Sequence, residues 1–308
     1  MAEIRTYAVE DERDGMRLDR FLAEQDNTLS RSYVQSLIKE KAVSVNGKSC
    51  KKCSAPLRSG DEIMLTLPDL KEPDIEPEDM PLSILYEDAD FLIVDKPKGL
   101  TVHPAPGHMT GTLVNGILAY CGSELSGING VTRPGIVHRI DKNTTGALII
   151  CKNDSAHRII AEQLKEHSIT RRYRGIVCGN IAQDSGTIEG NIGRNPLDRK
   201  KMAIVKEGGK SAVTHYRVLE HFRDFCYCEF ELETGRTHQI RVHMASIGHP
   251  LLGDDVYGKG NSRFRTEGQT LHAMTIGFSH PTTGRYVEYS APLPEYFTHI
   301  LHALREGH

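Results

Sequence analysis

The chain has 308 residues, 38% hydrophobic and 26% charged, with a formal net charge of −3. That length accommodates one large domain, or a small one plus a large one, and no apolar run approaches a membrane span. The charge excludes a uniformly basic binder, yet the sum hides its distribution. From Arg13 to Arg58 ten Lys or Arg face five Asp or Glu, giving +5, whereas from Asp69 to Asp90 one Lys faces nine acids, giving −8. The polar start, Met1-Ala-Glu-Ile-Arg-Thr-Tyr7, lacks the apolar core of a secretory signal. Seven cysteines, an odd number, suit free thiols in a reducing cytoplasm.

Residues 1–13 lack periodicity and read as a flexible arm. From Met16, the spacing of Leu18, Phe21 and Leu22 predicts a helix. Ser30 is a suitable N-cap for a second helix carrying Val34, Leu37 and Ile38. Val43-Ser-Val45 runs into Asn46-Gly47, a hairpin signal, and Gly60 to Leu67 supplies a further strand. Together, residues 14–67 resemble the RNA-binding module first known from ribosomal small-subunit protein four. That resemblance makes Arg31, Lys39, Lys41, Lys48, Lys51 and Lys52 its phosphate-facing surface. Residues 68–82, with four prolines and a crowd of acids, read as an extended, self-repelling linker.

From Ser83 to residue 305 strand patterns dominate. Phe91 to Asp95 reads as a buried strand that delivers the Lys96-Pro97 turn, and Gly111 to Tyr120 as a helix with Leu113, Ile117 and Leu118 inward. Ser155 to His167 reads as a helix whose Ile159, Ile160 and Leu164 share a face, and Tyr173 to Cys178 as a strand. Gly190 to Gly209 is polar and basic, a protruding hairpin or loop with Arg199, Lys200 and Lys201 available to grip RNA. Phe225 to Glu233 alternates, with Cys226, Cys228, Phe230 and Leu232 on one side. Thr237 is positioned to cap a helix ending at Ile247, whose Ile240, Met244 and Ile247 face the core. Cys50-Lys-Lys-Cys53 and Cys226-Tyr-Cys228 lie far apart and lack zinc partner spacing, so they read as ordinary thiols; no metal is expected.

Chemistry concentrates at Arg133-Pro-Gly-Ile-Val-His-Arg-Ile-Asp-Lys-Asn-Thr-Thr-Gly146, which precedes the apolar strand Ala147 to Cys151. Asp141 occupies an irregular loop between rigid elements, a common setting for a working side chain. An Asp in a loop is more often a turn or cap acceptor. Calcium is rejected: the loop begins like an EF-hand, but Lys152 stands where the closing Glu belongs.

The segment His138-Arg-Ile-Asp-x-x-Thr-Thr-Gly146 resembles the H-R-L-D-x-x-T-S/T-G signature of the RluA-type pseudouridine synthases, with Ile140 for Leu. Lys96-Pro-Lys-Gly-Leu-Thr-Val-His-Pro104 resembles the family's K-P-x-G-L-x-V-H-P. Arg171-Arg-Tyr173 resembles its K-x-Y, with Arg171 for Lys, and Thr234-Gly-Arg-Thr-His-Gln-Ile-Arg-Val-His243 matches its T-G-R-x-H-Q-I-R-x-H without departure. Gly193 to Ala203 leans toward the RluD-like branch.

The resemblance implies an α+β architecture, a mixed and mainly antiparallel sheet flanked by helices behind the small module. It implies an isomerase that turns uridine into pseudouridine, without cofactor, because the reaction conserves mass. Asp141 would be the nucleophile, acting as a retaining glycosidase carboxylate does or by attack on the pyrimidine ring. Arg241 would aim a bidentate fork at it, and Tyr173 would stack on the base and take the final ring proton. Arg139 would fill the gap left by the flipped base, with Arg236 and His238 nearby. His103 and His138 read as satisfied structural histidines. The implied partner is large-subunit ribosomal RNA, free or within an assembling particle, bound by a monomer with no membrane attachment. Two alternatives stay open: a synthase acting on transfer RNA, and a non-catalytic RNA-binding or ribosome-assembly protein that keeps the fold.

Overall fold

The structure is a computed structural model that describes residues 3–26, 29, 31–67, 75–104, 109–122, 124–128, 133–198, 201–258, 264 and 266–307. The chain divides into two compact units, Met1–Glu72 and Pro73–His308. Among the described residues no helix is long and apolar enough to cross a membrane.

In the first unit, β1 (Glu3–Ala8), α1 (Leu18–Gln25), α2 (Arg31–Lys39), β2 (Val43–Val45), β3 (Lys48–Ser49) and β4 (Glu62–Leu67) follow in order. The strands form one sheet in the order β1-β4-β2-β3. Leu18, Phe21 and Leu22 of α1 and Val34, Leu37 and Ile38 of α2 bury against Ile63 and Leu65 of β4. Asn46 and Gly47 both take positive φ, at 50° and 74°, as a two-residue hairpin turn requires. Ser30, expected as the cap of α2, lies outside the described residues.

The expectation of a loose arm at residues 1–13 is corrected: Glu3–Ala8 pairs antiparallel with β4 along its whole length. The alternation there was masked by polarity. The inward positions are Arg5 and Tyr7, and both satisfy their polar ends on the buried Asp26. The linker expectation is corrected in its described part, because Ile75 is buried in the second unit's core. The segment is held from a distance in sequence: the Glu78 carboxylate accepts from the Gly111 amide, and the Glu76 backbone carbonyl accepts from Asn115 Nδ2.

The second unit comprises β5 (Ile84–Glu87), β6 (Phe91–Lys96), α3 (Leu113–Cys121), β7 (Thr145–Cys151), α4 (Asp154–Lys165), β8 (Thr170–Cys178), β9 (Ser185–Arg194), β10 (Met202–Ile204), β11 (Lys210–His221), β12 (Phe225–Leu232), α5 (Gln239–Ser246), β13 (Leu271–Ser279), β14 (Tyr286–Ser290) and α6 (Glu295–Arg305). Its sheet runs β10-β9-β11-β12-β8-β13-β7-β6-β5, with β14 also on β13. Among the described ladders the β13–β7 pairing is parallel and the others are antiparallel.

Both faces are covered, which is why β6, β7 and β12 carry near-continuous apolar runs. On one face Leu92, Leu148, Cys228 and Phe230 pack with Leu113 of α3 and Ile240 and Met244 of α5. On the other, Ile93 and Ile149 pack with Ile160 of α4, and Phe225 and Tyr227 with Phe297 and Leu301 of α6. The expected apolar face of α4 shifts: Ile160 is buried but Ile159 is exposed, the inward stripe running instead through Ala156, His157 and Ile160. Gly190–Gly209 contains a true hairpin, β9 pairing with β10 from Arg194–Met202 to Ile192–Ile204.

Candidate active site

The Asp141 loop is tied down on two sides. The Lys142 carbonyl accepts from Lys96 Nζ at 2.9 Å and from the Gly99 amide at 3.0 Å. Lys96 is fully buried and gives its other protons to the carbonyls of Pro97 and Leu100, both at 2.8 Å. On the far side, Thr144 Oγ1 accepts from Gln269 Nε2 at 3.0 Å, and Thr145 Oγ1 meets His272 Nδ1 at 2.8 Å. Gly146 lies between them with φ +108°, and a Cβ there would stand 2.2 Å from the Ala273 carbonyl oxygen on β13. Glycine is therefore what lets β7 close on its neighbour.

The turn between β12 and α5 is pinned by two side chains. Thr234 Oγ1 accepts from the Val213 amide at 2.9 Å and donates to Gln239 Oε1 at 2.8 Å. Gln239 Oε1 also accepts from the Arg236 amide at 2.9 Å, while its Nε2 donates to the Val213 carbonyl at 2.9 Å and to Thr214 Oγ1 at 3.0 Å. The pinned turn forces His238 into a left-handed conformation, φ 57° and ψ 22°, at the N-cap position, a strained geometry for a residue with a side chain. This corrects two expectations. Thr237 does not cap α5, which begins one residue later than a Thr237 cap requires, and Ile247 lies past its end with 39% exposure.

The pinned helix start aims Arg241 into the loop. Its Nη1 donates to Asp141 Oδ2 at 2.9 Å, while Nε and Nη2 grip Asp254 at 2.7 and 3.0 Å. The bidentate fork expected on Asp141 thus belongs to Asp254. That carboxylate is 1% exposed, and its Oδ1 also accepts from the Val256 and Tyr257 amides, both at 3.0 Å. Burial pushes Asp254 up, but Arg241 and the two amides outweigh it and hold the group below its ordinary value. Burial likewise disfavours the Arg241 charge, and Asp254 and Asp141 reverse that effect.

Asp141 Oδ1 faces His238 Nε2 at 3.8 Å. His238 Nδ1 meets Tyr257 Oη at 2.7 Å, and that oxygen accepts from the Met202 amide at 2.9 Å. The Tyr257 hydroxyl thus ties His238 to the start of β10 and fixes the orientation of the imidazole ring, with Nε2 on the side of Asp141. Burial lowers the His238 pKa, with Asp141 opposing and Arg241 reinforcing. Tyr173, 8% exposed on β8, is raised chiefly by burial, lowered by Arg171 and raised again by Asp141. A cavity of about 510 Å³ has Arg139, Asp141, Arg171, Tyr173, Arg236, His238 and Arg241 on its wall, a volume that suits one small ligand or one nucleoside.

Residues 90–246 match the family model described as RNA pseudouridylate synthase, and residues 16–63 match the S4 domain. A Bacillus subtilis (strain 168) protein named uncharacterized RNA pseudouridine synthase YlyB is 51% identical, over 96% of this chain and 97% of its own length. The chain belongs to the RNA pseudouridylate synthase family. It is also 40% identical to the ribosomal large subunit pseudouridine synthase D of Escherichia coli (strain K12), across 97% of this chain and 94% of that one. Among solved structures it is similar to human RNA pseudouridylate synthase domain containing 1. That match has a TM-score of 0.57 and 29% identity and covers 75% of this chain and 97% of that one. It is an RNA-modifying isomerase with an S4 module.

Within this synthase, all six cavity residues singled out in the sequence meet: Asp141, Tyr173, Arg241, Arg139, Arg236 and His238. Asp254 and Tyr257 were not singled out as site residues; the stretch that holds them, Gly248 to Tyr257, resembles a family segment to which sequence alone gives only a structural or RNA-contact role. His138 is structural, accepting from the Ile149 amide at 3.0 Å. His103 is not fully satisfied. Its Nε2 meets Arg139 Nη1 at 3.0 Å, but its Nδ1 is buried without a partner.

In the S4 module, Arg31, Lys39, Lys41, Lys48, Lys51 and Lys52 are exposed, although Arg31 also pairs with the buried Asp19 at 3.0 Å. Of the basic hairpin, Lys201 is half-buried beside β10, and Arg199 and Lys200 lie outside the described residues. Outside the cavity, Asp88, Asp90 and His280 could together offer ligands to a metal ion. Asp88 already accepts from two amides and from His280, so the group serves the β5–β6 turn.

Proposed function

We propose that this synthase converts uridine to pseudouridine in large-subunit ribosomal RNA, with Asp141 as its nucleophile. The observation that carries the reading is the Arg241–Asp141 contact at 2.9 Å on the wall of a nucleoside-sized cavity. Arg241 occupies one carboxylate oxygen and leaves Oδ1 for the substrate. The ribosomal target rests on the S4 module and on what the Escherichia coli relative is named for. The chain acts as a monomer in this reading.

The target base leaves its stack at a cost of a few kcal/mol, and Arg139, exposed beside Asp141, fills the gap. Tyr173 stacks on the base. Asp141 attacks either the sugar carbon or the pyrimidine ring and the bond from nitrogen to sugar breaks. The base is rejoined through ring carbon five and the bond to Asp141 breaks. The proton of that carbon leaves by way of Tyr173, whose hydroxyl relays it, and the freed ring nitrogen gains one, so mass and charge are conserved. Either route needs an ionised carboxylate with one oxygen free, which the Arg241 contact supports.

Mass-based mapping of pseudouridine tests this, using large-subunit RNA incubated with the protein and with Asp141→Ala. New sites with the parent and none with a variant that still binds RNA are the expected result. A variant as active as the parent removes Asp141 from the mechanism. Sites only in transfer RNA would redirect the target.

A further inference from the structure

Arg171 is buried without a counter-ion on the cavity wall. It is 7% exposed, its Nη2 donates to the Glu233 carbonyl at 2.8 Å, and its Nε is buried with no partner. Nη1 runs beside Gly235, where a Cβ would stand 2.6 Å from it, so the glycine of the pinned turn makes room for the guanidinium. Among the described residues lining the cavity Asp141 is the only acid, and its Oδ2 is held by Arg241. A buried cation satisfied by a single carbonyl is costly. Arg236, on the same wall, makes the charge less favourable still. An anion delivered by the substrate would relieve both.

The position narrows which anion. Arg171 lies two residues before Tyr173 on β8, so both side chains project from one face of the strand, roughly 6.6 Å apart. With Tyr173 against the flipped base, Arg171 stands where the chain leads away from that nucleotide. The same wall also carries Arg236, Lys165 and His167, of which Lys165 pairs with Glu162 at 2.9 Å, and this basic lining suits a phosphate rather than a second base.

We propose that Arg171, with Arg236 beside it, is a binding subsite for one phosphodiester flanking the nucleotide that enters the cavity. This rests on the proposed function and adds to it the contact that sets how deeply the target nucleotide is seated. Arg171 is a binding residue here, and its planar fork is the feature a lysine cannot supply.

The test uses the whole protein and two readouts. Binding of large-subunit RNA is measured against salt for the parent, Arg171→Gln and Arg171→Lys. The slope of log affinity against log salt is expected to fall by about 0.7 in Arg171→Gln and to be kept, with weaker binding, in Arg171→Lys. Separately, binding by the parent and by Arg171→Gln is measured with RNAs that carry a neutral methylphosphonate at either phosphate flanking the modified uridine. One of these is expected to weaken the parent about ten- to hundredfold and to leave Arg171→Gln little affected. Equal losses in parent and variant, or an unchanged salt slope, overturn the subsite. An unchanged slope with a displaced alkaline limb in the pH–rate profile would assign Arg171 to the Tyr173 phenol instead. The salt titration needs no turnover, so a parent that binds but makes no pseudouridine counts against the proposed function and not against this subsite.

Discussion

Asp254 is not itself among the residues lining the cavity, yet the geometry makes it the residue that aims Arg241. It receives Nε and Nη2 of Arg241 together with the amides of Val256 and Tyr257. In Asp254→Asn the retained Oδ1 keeps three of these contacts, whereas an amide nitrogen is set against Nε, donor to donor. Removing one partner of a buried ion pair costs about 3–5 kcal/mol. The asparagine keeps part of the network and Asp141 still faces Arg241, so about 2–3 kcal/mol is expected for Asn and the full range for Ala. Thermal unfolding should fall by roughly 5–8 °C for Asn. Activity should fall further than stability implies, because a guanidinium released from its fork swings away from Asp141, and a misplacement near 1 Å costs about 100-fold in rate. The assay is single-turnover pseudouridine formation below the melting range. Dissociation constants for RNA should stay within about threefold, since Asp254 does not itself line the cavity. In a double variant with Arg241→Lys, which cannot fork, the second change should cost little more. A folded Asp254→Asn protein with parental rate would refute the argument that Asp254 positions Arg241.

Gly146→Ala should fold poorly or not at all, because its Cβ would meet the Ala273 carbonyl at 2.2 Å in a positive-φ conformation; soluble protein with parental melting contradicts this. Tyr257→Phe keeps the ring that Arg241 covers at 5.1 Å but removes the hydroxyl that orients the His238 ring. Its rate should drop several-fold, and a parental rate would count against a role for that contact. His138 is lowered to about 3, and His103 and His243 to about 4, each chiefly by burial. The unfolded chain therefore takes up their protons near pH 6.5 while the native one does not. Denaturant unfolding should show stability complete above that pH and falling as pH drops from 6.5 toward 4; stability that rises on acidification is the opposite result.

The elements built from apolar periodicity were legible because their cores are local. α1, α2, β6, β12 and the Asn46-Gly47 turn each advertise themselves within ten residues. What sequence reading missed follows one physical pattern, in which a polar residue does the inward work. β1 turns Arg5 and Tyr7 inward onto Asp26, so no apolar alternation marks it. Residues 75–82 look like a linker because their acids dominate, yet Glu78 is used at the entry to α3 and Ile75 is buried. The start of α5 is set by Gln239 bonding backwards to the turn, which overrode the hydroxyl cap that Thr237 offered.

The candidate site was legible as a set of motifs and not as a place. Asp141, Tyr173 and Arg241 come from the loop before β7, from β8 and from the helix after β12, and only the sheet order brings them together. β13 inserts between β8 and β7, and it pairs with β7 in parallel. That arrangement leaves the loop entering β7 open toward the β12–α5 turn, and Gly146 is required at its tightest point. The same assembly makes the two oxygens of Asp141 unequal: Oδ2 is held by Arg241, and Oδ1 faces Nε2 of His238 from 3.8 Å, too far for a hydrogen bond. A carboxylate gripped on one oxygen and merely accompanied on the other is oriented without being spent. Asp254 and Tyr257, through Arg241 and His238, hold that inequality in place before any RNA arrives.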